Sequence, residues 1–398
     1  MTRVADNIFV SEALRIGREL VGTAIRHEGC CSWVGNQIAN SETWHRTARV
    51  IGADFGTGTA GIAWFLMNAG IAANEPVMVE VAVEALRHSL HSVDQLVAEG
   101  RLGFCEGALG IAWTALAAGR AIESAELQEA GLKAAKHAVE AVNKNQVNGL
   151  GLWEGEAGRL LGSLGMFSLS EDLEFLEHAR FSAHRLTDGI GHVKHCQRSS
   201  VGLAKGASGV GLALAALAAC TEEDPSTAQQ AFRSERLWHS GEAGWYGSPA
   251  HDWAEPMTVT RSLCSGAAGI GIARLAAYAV TGAVDLLAEA GAAIDIIRRM
   301  PPPPDGPDAS LCHGAAGEIE LLLAGYGVLG EAAHLQAARY MGQVMIETAQ
   351  MRGEYASGIG AFGPSPSFLL GSAGTGLVLL RLYDPALAPS TAVPPLLL

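Results

Sequence analysis

The chain has 398 residues, a formal net charge of −14 and a sequence pI near 5.4, an acidic balance that argues against nucleic acid or an anionic membrane surface as partner. One pattern runs through nearly all of it, so the length reads as a single domain over residues 1–398 with an extended Pro-rich tail at about 384–398. The apolar runs are broken by glycine and charge short of a membrane span, no signal-type apolar stretch opens the chain, and the odd set Cys30, Cys31, Cys105, Cys196, Cys220, Cys264 and Cys312 fits reduced thiols, so a cytoplasmic protein off the membrane is expected.

In chain order, Asn7 to Arg26 carries apolar residues at helical spacing and predicts an amphipathic outer helix. An irregular stretch follows with Cys30, Cys31 and Trp33; adjacent cysteines rarely chelate one tetrahedral ion, so these read as buried or idle thiols. A Gly-x-x-Gly frame then recurs at Gly58, Gly107, Gly155, Gly206, Gly266, Gly314 and Gly371, with intervals of 49, 48, 51, 60, 48 and 57 residues, each long enough for two helices. After each frame comes an apolar, small-residue run such as GIAWTALAAG, which predicts a buried helix. Segments with charge on one face, such as Glu80 to Leu96 and Leu127 to Val142, precede the frames and predict outer helices.

Seven buried helices that can hide their surface only against neighbours, with no polar capping repeat at either end, predict an all-α (α/α)7 toroid of seven inner and seven outer helices. The glycine turns then gather at one end of the barrel. There glycine permits positive-φ turns and close backbone approach, and the free N–H groups of the helix starts favour anions and thiolates.

Two long connections reach that end. Thr187 to Ser200 contains His192, His195 and Cys196, which read either as a metal site or as a solvated loop; Trp238 to Arg261 contains His239, Trp245, Tyr246, His251 and Trp253. Pro301 to Pro304 is a stiff polyproline link before the sixth repeat. Cys264 stands two residues before Gly266, Cys312 holds the same place before Gly314, and His313 follows at once. Adjacent repeats are neighbours in a ring, so two thiolates and an imidazole converge there, a donor set that zinc selects with a fourth position left open. An incoming thiol would lose its proton at such an ion and attack an electrophilic carbon. Cys105 has the same offset but lies across the ring and reads as packing.

These residues carry a resemblance over almost the whole chain to the lanthionine synthetase C-like cyclases, including the cyclase domains of bifunctional lanthipeptide synthetases. It rests on the seven frames, on SLCSGAAGIG and LCHGAAGEIELLL, and on the ending FLLGSAGTGLVLLRLYDP followed by VPPLLL. The resemblance implies zinc held by Cys264, Cys312 and His313. It also implies addition of a peptide cysteine thiolate to dehydroalanine or dehydrobutyrine in a dehydrated precursor peptide, with a separate dehydratase or kinase supplying the electrophile.

Two departures concern proton transfer: the family's usual histidine of the fourth repeat is Lys205 in GLAKG, and the usual aspartate of the third repeat is Gly151 in GLWEG. Lys205 reads either as a proton carrier or enolate stabiliser, or as an ion-pair partner of Glu154 or Glu106; Glu154 and Arg261 are the further acid-base candidates. Besides the cyclase, two readings remain: addition of a small thiol such as glutathione to dehydroamino acids, and a non-catalytic scaffold that binds a peptide or a partner enzyme.

Overall fold

The computed structural model describes residues 7–38, 46–141, 149–193, 201–221, 224–239, 241, 244–245, 260–299, 308–359, 363–388 and 390. Seven inner helices follow the seven glycine frames: α2 (Thr59–Ala73), α5 (Ala108–Ala121), α7 (Glu156–Ser170), α9 (Ala207–Thr221), α11 (Ala267–Thr281), α13 (Ala315–Leu329) and α15 (Ser372–Tyr383). Seven outer helices pair with them: α1 (Ile8–Thr23), α3 (Pro76–His91), α6 (Ala125–Glu140), α8 (Leu173–Val193), α10 (Ser226–Glu235), α12 (Val284–Arg299) and α14 (Ala332–Arg352). Each inner helix packs on the next, α15 packs on α2, and the N-terminal α1 serves as outer partner of α15, so the two ends of the chain close the ring.

The two helix classes follow from residue pattern. Inner helices are apolar on every side, as in α2, where Ala60, Ile62, Ala63, Phe65, Leu66 and Met67 are all buried; outer helices bury one stripe, as in α3 with Met78, Val81, Ala82, Ala85, Leu86 and Ser89. Each fully buried aliphatic side chain stabilises the ring by about 2 kcal/mol before the entropy of ordering it. The predicted helix Glu80–Leu96 is two helices, α3 and the short α4 (Val93–Ala98), because the chain turns at Ser92. Among the described residues, no helix is long and apolar enough to cross a membrane.

The stretch after α1 differs from the sequence reading. It forms two antiparallel hairpins, β1 (Ile25–His27) with β2 (Cys30–Ser32) and β3 (Val34–Ile38) with β4 (Arg46–Val50). Trp33 is buried between them and donates its Nε1–H to the Leu20 carbonyl of α1, so this aromatic ties the hairpins to the first outer helix.

Of the two reasons expected for the glycine turns, positive φ and close backbone approach, only the second holds at the first glycines. The first glycine of every frame caps its helix with φ between −107 and −140 wherever the cap is recorded, so no left-handed turn is involved. Close approach is the cause. A Cβ on the second glycine of any frame would overlap the carbonyl oxygen six residues earlier, as at Gly61 with Phe55 and Gly269 with Leu263, and most would also press on the side chain from the preceding repeat. Those third-before-glycine side chains, Phe55, Phe104, Leu152, Leu203, Leu263, Leu311 and Phe368, are all buried and form an apolar layer beneath the turns. The repeat is thus a packing device that brings successive helix starts into backbone contact.

Candidate metal centre at the mouth of the ring

Close approach lets the seven turns bond to one another around the mouth. The amide of Gly56 donates to the Cys105 carbonyl at 2.7 Å, Phe104 to Gly158 at 3.1 Å, Trp153 to Ala204 at 3.1 Å, Ala204 to Cys264 at 2.8 Å, Cys264 to Cys312 at 3.1 Å, Cys312 to Leu369 at 2.9 Å, and Leu369 to Gly56 at 2.8 Å. The chain of bonds returns to its start. Backbone hydrogen bonds therefore fix the residues just before each first glycine, and with them the side chains that line the mouth.

Within this frame Cys264, Cys312 and His313 come together, with one ligand atom from each lying within 4.8 Å of the others. Cys312 is 5% exposed, and His313 reaches the surface. The His313 Nε2 lies 2.6 Å from the Gly358 carbonyl oxygen. A carbonyl only accepts, so Nε2 carries the proton and Nδ1 holds the free lone pair in the neutral ring. The approach depends on Gly358 itself, where a Cβ would stand 2.7 Å from Ser310 Oγ and 2.9 Å from His313 Nε2.

The three groups compete for protons. A hydrogen bond from Cys312 pulls the Cys264 thiol down to about 4 against the opposing effect of burial, with His313, Ser262 and Ser265 helping. The same bond and burial push Cys312 far above the usual thiol range, and the thiolate of Cys264 lifts His313 to about 9. Anionic sulfur is thus stabilised at a place where only one thiol can ionise unaided. Two thiols and an imidazole held by a carbonyl behind it fit a four-coordinate divalent ion such as zinc with one position open.

The other predicted site residues stand apart from this trio. Lys205 occupies the place in turn four that His313 occupies in turn six. It is 65% exposed and ion-paired with Glu154 of turn three at 2.6 Å. Gly151 has no room for a side chain, because a Cβ there would lie 2.8 Å from the Ala204 carbonyl oxygen and 3.0 Å from Lys205 Cα. Arg261 forms a forked pair with Glu318 in the first turn of α13, with Nε at 2.6 Å. That pair floors a groove of about 430 Å³ on the outer side of the ring, between α12 and α14, lined by Ile297, Met341, Met345 and Tyr355. Cys105 is buried and its thiol is held up by burial. His195, Cys196, His251, Tyr246, Trp253, Pro301 to Pro304 and the side chain of His192 lie outside the described residues, as do 391–398 of the tail. The described part of the tail turns back on the barrel at Asp384 to Ala388, and Arg381 binds the Ala388 carbonyl and Glu320.

Two further groups stand at the mouth: Glu106, which the sequence offered as an ion-pair partner of Lys205, and Asp308, which sequence reasoning did not single out. Glu106, in turn two, has its carboxyl raised to about 7, first by burial and then by Glu154 and Asp54. Asp308 accepts the Ser310 amide at 2.7 Å and lies 3.9 Å from His313 Nε2, which fixes the chain entering the sixth turn. Its place directly before a first glycine, shared with Glu154 and Lys205, marked Glu106 in the sequence, but the partner Lys205 takes is Glu154; no local pattern marks Asp308.

A family profile described as lanthionine synthetase C-like protein matches residues 49–396. Among solved structures, a nisin cyclase is 18% identical, with 84% of this chain and 89% of that chain covered at a TM-score of 0.63. An unsaturated glucuronyl hydrolase from Streptococcus agalactiae is 10% identical over 94% and 91% of the two chains at 0.53, and the Lin0763 protein from Listeria innocua is 11% identical over 95% and 97% at 0.50. At these identities the likeness is one of fold. No curated protein matches the sequence.

Proposed function

We propose, from the premise that the chain belongs to the lanthionine synthetase C-like family, that it is a zinc-dependent cyclase closing thioether rings in a dehydrated precursor peptide made available by a separate dehydratase or kinase. The observation that carries the reading is the convergence of Cys264, Cys312 and His313 on two backbone-bonded neighbouring turns. A zinc ion held by these three residues would supply the Lewis acidity that keeps an arriving cysteine thiol deprotonated near neutral pH.

The residues of the chain divide the remaining work. The Gly358 carbonyl, by holding the proton of His313 on Nε2, keeps Nδ1 free as a donor. The bond from Cys264 N–H to the Cys312 carbonyl sets the spacing of the two sulfurs. The apolar layer of Phe55, Leu263 and Leu311 below the turns limits water from beneath and leaves the peptide to enter from the mouth. In the reaction the peptide thiolate forms a C–S bond to the β-carbon of dehydroalanine, the π electrons move to the carbonyl as an enolate, and the α-carbon then takes one proton. The cysteine loses a proton and the α-carbon gains one, so the peptide mass is unchanged.

Lys205 stands where the family resemblance has a histidine. Its exposure and its ion pair with Glu154 favour electrostatic stabilisation of the enolate over proton carriage. Glu106, whose carboxyl holds a proton near neutrality, is the group at the mouth able to return one.

The test is a dehydrated, cysteine-containing peptide incubated with the zinc-loaded protein, then alkylated and weighed. Loss of alkylatable thiol at constant mass is the expected outcome. A mass gain equal to a small added thiol would replace the cyclase with a thiol-adding enzyme, and an unreacted but tightly bound peptide would leave a scaffold.

A further inference from the structure

Between repeats two and three the mouth holds a second cavity, of about 180 Å³, lined by Glu99, Arg101, Glu106, Trp153, Glu154 and Arg159 among others. Arg159 is 3% exposed, yet its Nη1 has no hydrogen-bond partner, while Nη2 donates to the Gly100 carbonyl at 3.3 Å. Its nearest acid, Glu156, is 3.8 Å away, beyond hydrogen-bond reach, and that carboxylate is drawn to a second cation, Arg185, whose Nε stands 3.3 Å from the same oxygen. Burial lowers the guanidinium pKa, as befits a cation short of compensation. A buried donor left unmade is costly, more so when charged, so such a group is an open position for a ligand.

Comparing repeats sharpens this. Arg159 is the fourth residue after its first glycine, a place held by Ile62, Ile111, Val210 and Ile270 in four other repeats and by Glu318 in the sixth. Glu318 is met by Arg261 from the connection before the fifth turn, giving the forked ion pair. Arg159 shares its cavity with Arg101 from the connection before the second turn, so a second guanidinium stands where the pseudo-equivalent site has an acid. Arg101 is partly satisfied by Asp54 at 2.9 Å.

We propose that this cavity is a carboxylate-binding subsite, in which Arg159, flanked by Arg101, takes a carboxylate of the substrate, either a peptide C-terminus or an acidic side chain. The source of the carboxylate rests on the peptide substrate proposed above, but the binding itself does not. The acids on the wall select a monoanion: Glu154 is tied to Lys205, the protonated fraction of Glu106 can donate to a ligand oxygen, and Glu99 with Glu154 would repel a phosphate dianion more strongly. Turns two and three lie across the ring from turns five and six, so an anchored peptide would span the mouth towards Cys264.

The experiment is calorimetric titration of the purified full chain with N-acetylglycine against N-acetylglycinamide, and with N-acetylglutamine amide against its glutamate counterpart. Wild type should prefer at least one acid over its amide by about tenfold or more, as a charge-assisted fork implies; the acid that binds tighter names the source. Arg159→Met combined with Glu156→Gln removes both buried charges together and should abolish the preference, while Arg159→Lys, which keeps the charge without the fork, should keep the fold and lose most of it. Equal binding of acids and amides, acid binding that survives in Arg159→Lys and in the double variant, or inorganic phosphate binding more tightly than either acid would each overturn the proposal. Failure to find zinc or turnover would leave these titrations unchanged, so the two readings fall separately.

Discussion

Turns five and six and turns two to four share one backbone design and carry opposite chemistries. In both, the two residues before the first glycine are presented at the mouth by bonds from turn to turn. In turns five and six those places hold Cys264, Ser265, Cys312 and His313, with Cys312 buried and the imidazole braced by a carbonyl. In turns two to four the place directly before the first glycine holds Glu106, Glu154 and Lys205, of which Glu154 and Lys205 reach solvent as an ion pair while the half-buried Glu106 carboxyl is raised to about 7. The contrast teaches that the frame fixes position, while the residue placed there decides whether the position is a rigid donor or a movable charge.

The largest expected effect breaks the rigid half. Cys264→Ala, Cys312→Ala and His313→Ala should each reduce zinc from about one ion per chain to near none, since two donors do not hold the ion tightly. Elemental analysis of the purified variants measures it, and full zinc in all three would remove the metal assignment. Lys205→Ala probes the movable half. It should leave zinc content unchanged and slow ring closure by about a hundredfold, the size typical of a lost proton-transfer or charge-stabilising group. Single-turnover rates with bound peptide read the effect, and an unchanged rate would make the Lys205–Glu154 pair structural only.

A smaller effect tests how the rigid half is braced. Gly358→Ala places a methyl group 2.9 Å from His313 Nε2 and 2.7 Å from Ser310 Oγ, so the ring must shift. Zinc affinity, measured by competition with a chelator, should fall on the order of tenfold to a hundredfold, the range for a lost outer partner of a metal-bound histidine. Affinity equal to wild type would show that Nε2 needs no fixed acceptor.

The sequence made the ring and the metal trio legible for one reason: both are periodic. Seven frames, two helix classes and the shared offset of Cys264 and Cys312 survive as spacing along a line. What spacing does not encode stayed closed. The hairpins at Ile25–Val50 are too short to show a strand period, so Cys31 and Trp33 read as irregular chain. The glycines left positive φ and close approach both open, and only the distances choose contact with the carbonyl of the same turn and with the preceding repeat. Whether Lys205 meets Glu154 depended on a distance between residues 51 apart, and the partner of Arg261 is 57 residues away in another repeat. The empty place of the usual aspartate is now physical: at Gly151 the backbone of turn four occupies the space a side chain would need.

The smallest effect sharpens the comparison from the side of stability. Glu106 has its carboxyl raised to about 7 by burial, with Glu154 and Asp54 adding to it, against an ordinary value of 4.5. A group whose folded pKa exceeds its unfolded one binds more protons when folded, so its contribution is fully present below about 4.5 and is lost as pH rises through 7. Above 7 the folded protein therefore carries a buried charge that the unfolded chain solvates freely. Glu106→Gln removes the titration while keeping the shape. The stability difference between variant and wild type, from denaturant titrations at pH 5 and pH 8, should move in favour of the variant by on the order of 1 kcal/mol once partial exposure is allowed for. Taking the difference cancels the titrations of Cys264 and His313, which both proteins share. A difference that stays constant with pH would mean that Glu106 ionises in the folded state as it does in the unfolded one, and the mouth would then have no carboxyl ready to return a proton to the enolate.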